Sequence, residues 1–269
     1  MNINFKFLLC GAVFCFVPQA AVAQCAVTDC QQLGYTSLKS CTGGLKCPFG
    51  EYWACPKVEE KAVLGECTGY AQNCKIADIL NSDGTCSNDK VSGKTPIGVV
   101  VYISGGSDKC GYAMTASPIA TNIKWSTENV STGAFQSSNW KTAITDFDVR
   151  GNMTKIIQTA NGNSSKYPAA YTALNYAPSA ILTSKGKWAL PTAGILNSLY
   201  TNLNAINNTI SKLGGTQLTT NNEYIWSSSE ASSKQTWLFL TDRSHGLGAD
   251  GIYGHYKTID GVVRPVIAF

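Results

Sequence analysis

Cysteines are confined to the first part of this 269-residue chain, and none follows Cys110. Nine lie after position 23, at Cys25, Cys30, Cys41, Cys47, Cys55, Cys67, Cys74, Cys86 and Cys110. In an oxidising compartment, such clustering predicts a disulfide framework. A zinc site is the alternative, which the absence of a Cys-x-x-Cys pair disfavours. Because nine is odd, at least one thiol is free or paired with another chain, and the spacing leaves the connectivity open.

The first 23 residues have the pattern of a cleaved secretory signal peptide. Lys6 is their only charged residue, an apolar run covers 7–17, and Ala21-Val22-Ala23 fits the cleavage site. The apolar run is shorter than the roughly 20 residues that a transmembrane helix needs. Gln24 disfavours a lipid anchor at Cys25. We therefore expect cleavage after Ala23, no transmembrane segment in the mature chain, and an exported protein that is extracellular, on the cell surface or periplasmic.

Charge argues against nucleic acid as a partner. Charged residues make up 14% of the chain, and the net charge is only +4. Arginine occurs at three positions, Arg150, Arg243 and Arg264. Nucleic-acid-binding proteins need a dense basic footprint on the phosphate backbone. The sequence therefore excludes that class.

The exported part divides into two regions that differ in cysteine content and in apolar pattern. Residues 24–75 hold seven cysteines between turn-rich segments, and a segment this short needs covalent staples to fold. They are predicted to form a small disulfide-stapled module. Residues 76–269 instead carry long apolar patterns and are predicted to form one larger domain.

Periodicity and turn signals predict an α+β fold for 76–269. A β-branched run at 97–104 predicts a buried strand, whereas 118–145 looks irregular. Apolar spacing predicts helices over 148–160, 169–176 and 192–213, the last of them stopped by Gly214-Gly215. Further strands are predicted at 224–226, 237–240 and 262–269. A strand, then helices, then several strands fits α+β and not a doubly wound sheet.

Six segments also resemble a known family. They are 79–85, 93–97, 186–192, 224–230, Trp237 and 263–266. Together they are similar to the bacterial C-type-lectin-like domains grouped with the collagen-like adhesin C-terminal domain. The resemblance covers about 76–269 and implies two helices packed on twisted antiparallel strands, in exported proteins that bind a ligand. A related set is the variable proteins of diversity-generating retroelements, whose C-terminal loops are hypermutated.

The stretch 238–256 is the candidate recognition surface. It interleaves Tyr, His, Asp and Arg with glycine, which combines rigid contact area with directional polar groups. The predicted ligand-binding residues are Trp237, Asp242, Arg243, Ser244, His245, Asp250, Tyr253, His255 and Tyr256. The alternative is that Tyr253 and Tyr256 pack inside and the rest is solvated loop. The stretch also lacks Lys, Gln, Glu, Met and Trp, which fits either retroelement hypermutation at Asn-type codons or an ordinary glycine-rich loop.

Four residues are predicted to have structural roles: Trp188, Trp226, Glu230 and Arg264. Buried arginines are usually paired with a carboxylate. We therefore expect Glu230 and Arg264 to form a partly buried ion pair.

Catalytic and metal signatures are missing from the sequence. His245 and His255 form no zinc-binding pair, and no Gly-x-Ser-x-Gly motif occurs. The sequence also lacks the Glu-Pro-Asn type signatures of calcium-dependent lectins. We therefore predict a binding and adhesion protein with no enzymatic role, no cofactor and no metal, whose ligand is a protein or a glycan. The alternatives are a hydrolase or oxidase on a lectin-like scaffold, or a structural component of an envelope appendage.

Overall fold

The computed structural model describes residues 7–10, 13–16, 65–67, 73–105, 110–218, 224–240 and 251–269. The chain divides into two compact units, 1–60 and 61–269. Most of 24–75 lies outside the described residues, so the separate cysteine-rich module stays a prediction. Within the described ranges, no helix combines the length and the apolar character that crossing a membrane requires.

In the first unit, two short strands, β1 (Phe7–Cys10) and β2 (Val13–Phe16), pair antiparallel. The second unit contains eleven further strands in its described part. They are β3 (Ile79–Asn81), β4 (Cys86–Ser87), β5 (Pro96–Ile103), β6 (Gly111–Met114), β7 (Ala120–Lys124), β8 (Trp188–Ala189), β9 (Tyr224–Glu230), β10 (Gln235–Leu240), β11 (Ile252–Tyr256), β12 (Asp260–Val263) and β13 (Val266–Ala268). Its α-helices are α1 (Trp140–Ala143), α2 (Val149–Ala160), α3 (Pro168–Asn175), α4 (Ala193–Thr201) and α5 (Leu203–Leu213). The α+β class predicted from the sequence is confirmed.

Six strands form an antiparallel sheet in the order β4-β3-β5-β6-β13-β8. Strand β5 lies inside it and is buried continuously from Ile97 to Val101. Continuous burial along a strand means that both of its faces are covered. Helices α4 and α5 pack against β5. The strand predicted at 97–104 is confirmed.

A second sheet has five strands in the order β11-β10-β9-β12-β7. All its pairings are antiparallel except that between β9 and β12. Strand β12 leads into β13, which belongs to the other sheet. Between them lie Arg264 and Pro265, and proline has no N–H to donate to a strand ladder. The single strand predicted over 262–269 is therefore two strands, which connect the two sheets.

The helices begin and end largely where local signals place them. The Asp148 carboxylate accepts a hydrogen bond from Gly151 N at 2.8 Å and caps α2. Thr192 caps α4, with its hydroxyl accepting from Ile195 N at 3.3 Å. The helix predicted over 192–213 is interrupted at Asn202, whose backbone leaves the helical region. Gly214 then ends α5 with φ +73°.

Two disulfides occur in the described part of the chain. Cys67 pairs with Cys110, and Cys74 pairs with Cys86. Each bond joins a cysteine of the predicted 24–75 module to the domain that follows. The disulfide assignment is confirmed for these four cysteines.

Candidate ligand-binding surface

The described ends of the stretch 238–256 are strands, with 238–240 in β10 and 252–256 in β11, while 241–250 lies outside the described residues. Strands β10 and β11 pair antiparallel, with Leu238 opposite Tyr253 and Phe239 opposite Ile252. Leu238, Phe239 and Ile252 are buried. The stem of the hairpin is therefore anchored in the core. Five predicted ligand contacts lie outside the described residues, namely Asp242, Arg243, Ser244, His245 and Asp250.

Trp237 belongs to the core and not to the surface. Its side chain is 7% exposed, and its Nε1 donates to the carbonyl oxygen of Ser137 at 2.9 Å. The placement follows from burial of both faces of β10, which is buried continuously from Thr236 to Leu240. The predicted ligand contact at Trp237 is therefore corrected to a structural role.

Four aromatic side chains of β9 and β11 are at least partly exposed, and we call them the aromatic cluster: Tyr224, Tyr253, His255 and Tyr256. Tyr253 also packs against the hydrophobic core. The ring centroids of Tyr224 and His255 are 5.4 Å apart, and those of His255 and Tyr256 are 6.0 Å apart. Tyr256 is 54% exposed, whereas the other three side chains are half-buried. Partly exposed rings that support one another provide rigid contact area for a partner.

His255 has one tautomer imposed by the backbone. Its Nδ1 accepts a hydrogen bond from Tyr256 N at 2.8 Å, so the proton of the neutral ring is on Nε2. Burial lowers the pKa of His255 from its ordinary value of 6.5. The ring is therefore neutral at pH 7, with an Nε2–H donor.

Gly251 allows the chain to enter β11. Its φ is +74°, which is unfavourable for residues with a Cβ. A Cβ there would lie 2.6 Å from Tyr200 and 2.9 Å from Phe239. Because both neighbours are rings, glycine is needed for this close approach. The position of the hairpin therefore depends on this residue.

A buried ion pair lies directly after the aromatic cluster in the sequence. Lys257 and Glu230 are both fully buried, and the Lys257 ammonium donates to Oε1 of Glu230. It also donates to the Val130 carbonyl at 2.8 Å and lies 4.6 Å from the centroid of the Trp125 ring. Burial lowers the pKa of Lys257, and the hydrogen bond and negative charge of Glu230 oppose that shift. We call Glu230 and Lys257 the buried ion pair.

The Glu230 carboxylate also holds a neighbouring loop. Thr132 N donates to both of its oxygens, at 3.2 and 3.1 Å, and the Ser131 hydroxyl donates to Oε2 at 3.3 Å. A buried charge is tolerated when it is paired and fully hydrogen-bonded. The buried ion pair therefore ties the loop at 130–132 to the end of β9 and to Lys257.

The expected Glu230–Arg264 pair does not form. The Arg264 guanidinium is buried and donates to the carbonyl oxygens of Ala116 at 3.2 Å and Thr216 at 2.7 Å. Sequence reasoning missed Lys257 as the partner of Glu230. The only local signal was that Lys257 directly follows the alternating strand 252–256. Such a signal does not identify the residue with which the lysine pairs.

The two structural tryptophans lie in the interior, as their predicted roles require. Trp226 is buried, and its Nε1 donates to the carbonyl oxygen of Ile123 at 2.7 Å. Trp188 is buried against Tyr176, with ring centroids 5.0 Å apart. Both therefore stabilise the interior of the second unit.

Among the described residues, no group of three or more His, Cys, Asp or Glu side chains could hold a metal ion. His255 is surrounded by Tyr224 and Tyr256, and His245 lies outside the described residues. The arrangement of His255 provides aromatic faces and an N–H donor, which are groups suited to binding.

Comparison with known proteins assigns no family. No protein-family model matches the sequence, and the search of curated proteins gives no match. One similar solved structure is the crystal structure of a fimbrial protein from Bacteroides ovatus ATCC 8483, with 16% sequence identity and a TM-score of 0.49. The match covers 72% of this chain and 49% of that protein, so this chain spans about half of its length. A similarity at this level supports no inference about the fold or the function of this chain.

Proposed function

We propose that this is an exported, surface-acting binding protein whose C-terminal hairpin contacts a protein or glycan partner. The observation that carries the proposal is the aromatic cluster on β11. Its rings are partly exposed, while the strand is held by a buried neighbour, β10. A preorganised aromatic surface loses little side-chain entropy when a partner binds.

Disulfide bonding supports export. Cys67–Cys110 and Cys74–Cys86 are structural bonds of a kind that persists in oxidising compartments and is rare in the cytosol. They agree with the signal-peptide pattern of 1–23. Together these features favour action outside the cytoplasm.

A C-type-lectin-like domain is our proposal for the architecture of 76–269. Two of the segments that resemble the family lie at regular secondary structure: 186–192 leads into α4, and 224–230 forms β9. The segment 263–266 joins the two sheets. In such a domain the β10–β11 connection, 241–250, would be available for variation.

Retroelement diversification of 238–256 is tested in the genome. A near-copy of the DNA that encodes this hairpin, beside a reverse-transcriptase gene, would identify a diversified receptor. Without such a copy, the composition of the stretch is that of an ordinary binding loop.

The proposed surface is tested by substitution on two opposite edges of the same sheet. The test variant is Tyr253→Ala/Tyr256→Ala on β11. The matched control is Thr121→Ala/Lys124→Ala on β7, which is the other edge strand. Binding is measured on an array of purified glycans and extracellular-matrix proteins. For the best ligand of the wild-type protein, we expect the test variant to lose about tenfold or more in affinity, because tyrosines at an interface are typical binding hot spots.

The control variant should bind like the wild-type protein. Equal losses in the two variants would contradict recognition by the hairpin. Unchanged binding in a folded test variant would move the recognition surface away from the aromatic cluster. Thermal unfolding of each variant shows whether the fold is intact.

A further inference from the structure

A groove lies on a part of the molecule that the proposed function does not use. It consists of two adjoining cavities of about 650 and 820 Å³, which share Pro118, Ile119 and Tyr176. We call it the Tyr176 groove. It shares no residue with the aromatic cluster. Each cavity taken alone has a volume in the range of small-molecule binding sites.

Aromatic and polar groups alternate along the walls of the groove. Tyr171 and Tyr176 are half-buried and line the larger cavity, together with the hydroxyl and amide side chains of Thr172 and Asn175. Tyr176 is held by its edge contact with Trp188. An aromatic face beside hydrogen-bonding groups matches a sugar ring, which has apolar C–H faces and a rim of hydroxyls.

The floor of the groove is preorganised by backbone hydrogen bonds. Thr115 N donates to the Pro265 carbonyl at 3.2 Å, and Ile119 N donates to the Val263 carbonyl at 3.0 Å. The segment 115–119 is thereby attached to the junction between the two sheets. A ligand would meet a formed wall and would not have to order a loop.

The wall of the smaller cavity also includes a residue with a buried hydroxyl, Thr115. Thr115 is 4% exposed, and its hydroxyl has no hydrogen-bond partner among the described residues. Buried hydroxyls nearly always have a partner. Thr115 lines this cavity, so a change of its rotamer in the presence of a ligand would supply the missing bond.

The charged side chains that line the described part of the groove are all positive. Its lining includes Lys90 and Lys94, and none of the described residues that line either cavity is an Asp or Glu. Lys94 is already engaged, with Nζ 3.6 Å from an oxygen of Asp83 and 2.8 Å from the Thr85 hydroxyl. Lys90 is exposed and makes no hydrogen bond or ion pair with the described residues. It therefore leaves a positive charge available at the end of the smaller cavity.

From these features we propose that the Tyr176 groove binds an acidic saccharide, a sugar chain that bears carboxylate or sulfate groups. The sugar rings lie against Tyr171 and Tyr176, their hydroxyls bond to Thr172 and Asn175, and an acidic group reaches Lys90. The site is independent of the aromatic cluster, so this proposal stands or falls separately from the proposed function.

The probes are hyaluronan, chondroitin sulfate and polygalacturonate oligosaccharides, with maltohexaose as the neutral control. Binding is measured by titration calorimetry at low and high salt. We expect at least one acidic oligosaccharide to bind more tightly than maltohexaose and to lose affinity as salt rises. Comparison of the three acidic probes distinguishes carboxylate from sulfate recognition.

Four variants locate the site. Lys90→Ala should weaken acidic binding about twofold to fivefold, as an exposed charge pair does, and should leave the neutral control unchanged. Tyr171→Ala should weaken binding about threefold to tenfold, whereas Tyr171→Phe, which keeps the ring, should bind nearly as the wild type does. Lys155→Ala, which removes an exposed lysine that lines neither cavity, should leave saccharide binding unchanged.

Several results would overturn the proposal. One is the absence of binding to all three acidic probes at millimolar concentration. Another is binding that Lys90→Ala and Tyr171→Ala leave unaltered in variants that unfold at the wild-type temperature. A loss in the hairpin variant Tyr253→Ala/Tyr256→Ala equal to that in Tyr171→Ala would assign saccharide binding to the aromatic cluster instead.

Discussion

The aromatic cluster and the buried ion pair differ in solvent exposure, although Tyr256 of the cluster and Lys257 of the pair are consecutive residues. Tyr256 is 54% exposed, and the next residue, Lys257, is fully buried. Tyr256 is the last residue of β11, and Lys257 begins the turn that follows, where the chain changes direction. One short segment therefore supplies a surface residue and a structural residue in succession. The comparison teaches that the surface proposed for recognition adjoins a charge that no partner can reach.

The largest expected effect comes from breaking the buried ion pair. Lys257→Met leaves the Glu230 carboxylate buried without its cation, which costs about 3–5 kcal/mol of unfolding free energy. Urea denaturation measures the loss. The double variant Lys257→Met/Glu230→Gln, which removes both charges, should recover part of that stability. Equal stability in the wild-type protein and Lys257→Met would contradict the structural role of the pair.

A smaller effect is expected at the entry to β11. Gly251→Ala adds a Cβ at positive φ against two rings and should cost about 1–3 kcal/mol. Gly254→Ala is the matched control, because a Cβ there meets only ordinary contacts, at 3.5 Å or more. Thermal unfolding compares the two. A Gly251→Ala protein as stable as Gly254→Ala would mean that the hairpin does not depend on this close approach.

The pH dependence of stability tests how His255, a member of the aromatic cluster, contributes to the fold. Burial lowers its pKa in the folded protein, so the unfolded chain binds the proton first as pH falls below about 6.5. Stability should therefore decrease from pH 6.5 downwards, with no contribution from His255 above that pH. Protonation also removes the Nδ1 acceptor that Tyr256 N uses.

Denaturation of His255→Gln between pH 8 and pH 5 isolates this contribution. The variant should lose part of the decrease seen in the wild-type protein below pH 6.5. His245→Gln replaces the other histidine of the sequence and is the control. If the two variants have the same pH profile as the wild-type protein, the lowered pKa of His255 has no part in stability.

The smallest expected effect on stability is at Tyr256. Because its side chain is more than half exposed, Tyr256→Ala should change the unfolding free energy by less than about 0.5 kcal/mol. Chemical denaturation measures this change beside that of Lys257→Met. A loss comparable to that of Lys257→Met would show that Tyr256 supports the fold, which would remove the contrast between the two neighbours.

Local patterns predicted the elements whose signals are short-range. The β-branched run at 97–104 became β5, and the apolar spacing of 148–160 became α2 with Asp148 as its cap. These predictions hold because burial on one face leaves a period in the sequence, and burial on both faces leaves a continuous apolar run. The break at Asn202 left no such trace, since the apolar spacing of α4 continues into α5. The strands at Gly111–Met114 and Ala120–Lys124 were missed because four or five residues are too few to leave a clear apolar pattern.

What the sequence determined by itself was the α+β class, the principal helices and strands, and the presence of disulfides, because periodicity, caps and cysteine clustering are properties of neighbouring residues. Only the tertiary structure decided that Glu230 pairs with Lys257 and not with Arg264, that Trp237 faces inward, and that 260–268 joins two sheets. These outcomes depend on which distant segments meet. Buried charges and rings find their partners through strand order and register, and a single sequence does not encode either as a local pattern.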